Sequence, residues 1–66
     1  MTKEERYQQF RDDMSNWEVE DYEGRNSYKG PAVIVPRDNL QDIIRETDLE
    51  LQWDQMGKND LVIYPV

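Results

Sequence analysis

Two stretches of this chain hold residue types that can do chemistry together. Arg25 and Tyr28 fall in Gly24-Arg25-Asn26-Ser27-Tyr28, while Asp54, Met56 and Asp60 fall in Asp54-Gln55-Met56-Gly57-Lys58-Asn59-Asp60. A guanidinium that meets a carboxylate makes a directional, bidentate pair, which either staples two loops or forms the polar rim of a ligand pocket. Gly24, Gly30 and Gly57 supply turns, and none stands in the G-x-G-x-x-G or Walker spacing that a phosphate-cradling loop needs. Asp12-Asp13, Glu20-Asp21 and the series Asp38, Asp42, Glu46 place carboxylates side by side or on successive helical turns. No stretch fits the calcium-loop pattern, so weak association of Mg²⁺ or Ca²⁺ is the most these acids imply, and no resident metal is expected.

What is missing narrows the chemistry further. The chain contains no His and no Cys, which removes the commonest general base, the thiolate nucleophile, the disulfide and the usual zinc ligands. With 15 Asp+Glu against 8 Lys+Arg and a net charge of −7, the field of the protein repels phosphate backbones and anionic lipid. Direct nucleic-acid binding is therefore not expected. No apolar run approaches the roughly 20 residues of a membrane span, so the reading is a cytoplasmic protein with no membrane partner. The expectation is a protein without catalytic residues and without a cofactor.

The elements that would position these residues can be read from periodicity. The 66 residues, 36% of them hydrophobic, suffice for one small domain with a thin stability margin. Thr2 with Glu5 is a capping box, and Tyr7, Phe10 and Met14 share one helical stripe, so a first helix runs from Thr2 to about Met14. The stripe reads as core, or alternatively as a helix that lies in a partner's groove. Trp17 to Tyr22 begins with strand alternation that points Trp17 and Val19 inward, and Ala32-Val33-Ile34-Val35 reads as a central strand between Pro31 and Pro36. Asp38 is the expected N-cap of a second helix over about Asn39 to Thr47, with Leu40, Ile43 and Ile44 on its apolar face and Asp42, Arg45 and Glu46 in water. Leu49 to Trp53 alternates again with Trp53 inward, and Leu61-Val62-Ile63-Tyr64 is a second fully apolar strand.

The order α-β-β-α-β-β predicts an α+β fold, a four-stranded antiparallel sheet in the order 1-2-4-3 with both helices on one face. The alternating first and third strands belong at the edges, and the two apolar strands at the centre. The first and third strands are expected to run parallel, so that both hairpin loops emerge at one end and bring Arg25 and Tyr28 to Asp54, Met56 and Asp60. Apolar residues on both sides of the central strands imply that part of the second face is covered by a partner.

The segments Gly24-Arg25-Asn26-Ser27-Tyr28-Lys29-Gly30, Ala32 to Val35, Asp54-Gln55-Met56-Gly57 and Val62-Ile63-Tyr64-Pro65 resemble a loose group of small uncharacterised bacterial and phage proteins. In that group a G-R-x-x-Y-x-G turn precedes an apolar strand and a D-x-M-G loop precedes an I-V-Y strand. The resemblance spans about Gly24 to Pro65, and Pro31-Ala32 departs from the Cys-Gly-like or Ser-like step of the group. It implies no activity; it draws attention to Arg25, Tyr28, Asp54, Met56 and Gly57 as a pair of loops.

Taken together, the residues suggest a non-catalytic protein-interaction or accessory module, or a homodimer, working through a sheet face or edge and an acidic surface. An alternative is an acidic inhibitor that presents Asp38, Asp42 and Glu46 to a basic cleft in place of nucleic-acid phosphates. A third is a small-molecule binder that uses Arg25, Tyr28 and Asp54.

Overall fold

The computed structural model describes residues 1–66, arranged as α1 (Lys3–Asp13), β1 (Val19–Glu23), β2 (Lys29–Pro36), α2 (Leu40–Glu46), β3 (Leu51–Met56) and β4 (Asp60–Pro65). Short 3-10 turns at Arg25–Ser27 and Arg37–Asn39 precede β2 and α2. The strands form one antiparallel sheet in the order β1-β2-β4-β3. This is the expected α+β fold, with β2 and β3 parallel to each other and separated by β4. No helix is long and apolar enough to cross a membrane.

Helix α1 starts where its sequence says it should. The Thr2 hydroxyl accepts from the Glu5 amide at 3.1 Å and the Glu5 carboxylate accepts from the Thr2 amide at 3.3 Å. Two donors that a helix start leaves unpaired are thereby satisfied, worth about 1 kcal/mol. The helix buries Phe10, and Met14 is buried at its C-cap; Tyr7, on the same stripe, is half-buried.

The two faces of the sheet are packed by different means. Phe10 and Met14 from the α1 side and Ile43 of α2 pack on Val33, Val35, Leu61 and Ile63, with Trp17, Val19, Leu40, Leu49 and Leu51 around them. Side chains alternate along a strand, so Ala32, Val62 and Tyr64 point to the opposite face, where Tyr22 and Tyr28 pack against them. That explains why β2 and β4 are apolar without alternation: both of their faces are buried except at Ile34. The chain's own tyrosines cover much of the second face, where the composition of the strands had suggested a partner; Ile34 remains 40% exposed.

Several expectations are corrected. β1 begins at Val19, and Trp17 lies before it, half-buried against the helix-side core. Asp38 does not cap α2. The chain leaves Pro36 through the 3-10 turn that contains Asp38, which leaves Asn39 at the cap position without a side-chain hydrogen bond. α2 has only 7 residues and buries only Ile43, so Ile44 is 39% exposed. Thr47 follows in extended conformation and donates to Asp13 Oδ2 at 2.6 Å, tying the ends of the two helices together. Trp53 is 41% exposed. It pairs with Ile63 and shares its face, but β3 is an edge strand with no neighbour on its outer side.

Candidate functional site

The β1–β2 connection is held in an uncommon backbone shape. Asn26 (φ 56°, ψ 35°) and Ser27 (φ 64°) both lie in the left-handed region, at about 1 kcal/mol or more each for residues with a Cβ. The Gly24 amide donates to the Tyr28 carbonyl at 2.9 Å and the Tyr28 amide to the Arg25 carbonyl at 3.0 Å, closing the turn. From it Arg25 reaches over the second face, and its Nε lies 2.7 Å from Asp54 Oδ1. The contact is an ion pair without the alignment of a straight hydrogen bond. Asp54 is 8% exposed, and its Oδ2 accepts from the Tyr64 hydroxyl at 2.9 Å. The carboxylate thus has an opposite charge on one oxygen and a hydroxyl on the other, as a buried charge requires.

All four tyrosines of the chain join this pair. Tyr7 meets Tyr28 edge-on at 5.7 Å between ring centroids, Tyr28 stacks on Tyr64 at 4.4 Å, and Tyr64 meets Tyr22 at 5.7 Å. The Tyr28 hydroxyl donates to the Pro31 carbonyl at 2.6 Å. Gly30 makes room for the row, since a Cβ there would lie 2.7 Å from the Tyr7 ring and 2.9 Å from the Tyr28 hydroxyl oxygen.

Both inner phenols resist ionisation. Burial, reinforced by the hydrogen bond to Asp54 and the charge of that carboxylate, pushes Tyr64 up to about 12 from its ordinary value, against a small opposing effect of Arg25. Burial also raises Tyr28, with Tyr7 adding to the effect and Arg11 opposing it.

The residues singled out in the sequence separate into three places. Arg25, Tyr28 and Asp54 come together on the second face. Met56 and Gly57 lie at the other end of the sheet. β1 and β3 are antiparallel, because each of the three pairings between them reverses the strand direction. The two hairpin turns therefore point opposite ways, and Asp54 meets Arg25 across the sheet face instead of at a loop tip. Gly57, with φ +71°, serves the β3–β4 turn. Asp38, Asp42 and Glu46 are all exposed, on the 3-10 turn and α2, and none is in an ion pair. No three Asp or Glu side chains converge as a metal cluster would.

Sequence reasoning missed Lys3 and Arg6, which line a cleft beside Arg25 together with Tyr7, Tyr28 and Tyr64. Their signal was available: Lys3 stands at i−3 and i−4 to Arg6 and Tyr7, and such neighbours share a helix face.

The two sheet edges differ in chemistry. β1 exposes Glu20, Asp21 and Glu23, and charges of this kind discourage pairing with another strand. β3 is Leu51-Gln52-Trp53-Asp54-Gln55-Met56, whose single charge is the buried, paired Asp54, and it exposes Trp53 and Met56.

No family model matches the chain, and neither a curated protein nor a solved structure matches it.

Proposed function

We propose that this chain is a non-catalytic interaction module that receives a strand of a basic protein partner along the outer edge of β3. The observation that carries this reading is the asymmetry of the edges. β1 is guarded by exposed acids, whereas β3 offers unpaired backbone and an exposed Trp53 with no exposed charge on the strand. Strand addition uses the main chain for affinity and alternate side chains for specificity, and an exposed tryptophan supplies a hot spot. The basic character of the partner follows from the charge. Of the 15 acidic residues only Glu23 and Asp54 are in ion pairs, and the net charge is −7. A second copy of the chain would bring like charges together, so a partner of opposite sign is favoured over self-association.

The test compares capture by the immobilised protein with capture by Trp53→Lys and by Glu20→Gln, which raise the net charge equally. A stoichiometric partner held by the wild type and by Glu20→Gln, but lost by Trp53→Lys, supports the reading. Equal retention by both variants contradicts it.

A second reading rests on the same unpaired carboxylates. Exposed Asp38, Asp42 and Glu46 offer an acidic row to a basic nucleic-acid-binding cleft. In that case reversing these charges removes binding and flattens its dependence on salt, while Trp53→Lys leaves it in place.

A further inference from the structure

A cleft of about 270 Å³ opens between the start of α1, the Gly24–Tyr28 turn and the end of β4. Lys3, Arg6 and Arg25 line it with Tyr7, Tyr28 and Tyr64, and no Asp or Glu does. Three of only 8 basic residues thus gather at one small concavity of a chain that has 15 acidic ones.

The protein itself leaves these cations largely unanswered. Arg6 is in no ion pair, and its Nε is buried without a hydrogen-bond partner, so nothing in the chain answers its charge. Arg25 meets Asp54 through Nε, yet its side chain is 70% exposed, which leaves guanidinium surface open to another acceptor. Lys3 is in no ion pair; its ammonium lies 5.7 Å from the centre of the Tyr7 ring. The tyrosine hydroxyls of the inner pair are already committed, Tyr28 to the Pro31 carbonyl and Tyr64 to Asp54. Tyr64 is 1% exposed and backs the cleft from within, so the ring surface open to a ligand is that of half-buried Tyr7 and Tyr28, and polar recognition falls to the cations.

We infer that this cleft binds a small organic anion, a phosphate ester or a carboxylate, with the charged end at Lys3, Arg6 and Arg25 and a flat apolar remainder against the tyrosine wall. A guanidinium can donate two parallel N–H bonds to a pair of oxygens on either anion. The volume falls below the roughly 300 Å³ at which pockets for drug-sized ligands begin, so the ligand is small. This site reaches β3 only at Gln52, on the face opposite Trp53, and either reading can fail without the other.

The experiment is an amide NMR titration of the folded full chain with phenyl phosphate and with benzoate, and with benzyl alcohol as the uncharged control. Saturable shifts at residues 3–7, 25–28 and 64–66 with either anion, absent with the alcohol, are the expected result. Saturation by only one probe identifies the phosphate or the carboxylate class. Arg6→Gln removes a donor that lacks a partner in the free protein, so it leaves the fold intact and weakens binding about tenfold or more, as loss of a hydrogen bond to a charged group does. Arg45→Gln, on the exposed side of α2, leaves binding unchanged. No saturable shift with either anion overturns the inference, as does equal affinity of Arg6→Gln and wild type, or shifts spread over Arg37, Arg45 and Lys58.

Discussion

Arg25 Nε lies 2.7 Å from Asp54 Oδ1 although the two residues belong to opposite margins of the sheet, Arg25 to the turn that leaves β1 and Asp54 to β3. The pair crosses the second face over Tyr64, whose hydroxyl holds the other oxygen of the same carboxylate. It ties the outermost strand to the first hairpin and neutralises the only charge that the second face buries.

Removing Arg25 leaves Asp54 charged and nearly buried with only the Tyr64 hydroxyl as partner. Arg25→Gln is expected to destabilise the fold by about 1–3 kcal/mol, the exposure of the guanidinium keeping the loss below that of a fully buried pair. Asp54→Asn keeps an acceptor for Tyr64 and costs less. Urea unfolding of both single variants and the double variant checks this, because coupling between the two sites makes their effects non-additive.

Alkaline pH is expected to unfold the protein through its tyrosines. The folded state holds Tyr64 up to about 12 and raises Tyr28 as well, both chiefly by burial. An unfolded tyrosine ionises near 10. The native state therefore retains protons that the unfolded state has lost. Stability is fully present below about pH 10 and falls as pH rises through the folded value. Thermal unfolding across that interval, with tyrosinate absorbance recorded, is expected to show ionisation and unfolding together. Tyr64→Phe removes its share of the pH dependence.

Gly30→Ala is expected to destabilise by about 1–3 kcal/mol, since its Cβ would meet the Tyr7 ring at 2.7 Å and the row of rings cannot yield freely. Gly57→Ala meets no atom within 4 Å and suffers only from the positive φ, a loss of about 1 kcal/mol. Adding Tyr7→Ala relieves the closest part of the clash at Gly30 and leaves the Tyr28 hydroxyl in place, so melting temperatures show a smaller Gly30→Ala effect in that background and an unchanged Gly57→Ala effect.

Much of the fold is legible because local signals and core demands agree. Thr2 and Glu5 mark the start of α1, and the unbroken apolar runs at Ala32–Val35 and Leu61–Tyr64 announce strands buried on both sides. Order 1-2-4-3 follows from placing those two at the centre. The site is less legible. Alternation sets the phase of Trp53 but does not show that nothing covers its side of an edge strand. Asp54 looks like one more solvated acid among 15, because its partners Arg25 and Tyr64 are supplied by folding. The failed cap at Asp38 reflects a 3-10 turn, whose hydrogen-bond geometry competes locally with the helix start.

The measurement that tests the interaction reading most directly is amide hydrogen exchange along both edge strands, made on the protein alone and bound to its captured partner. Strand addition predicts slower exchange at β3 amides that face outward in the free protein, with the outer amides of β1 unchanged. Protection confined to β1, or to α2 around Asp42 and Glu46, would contradict it.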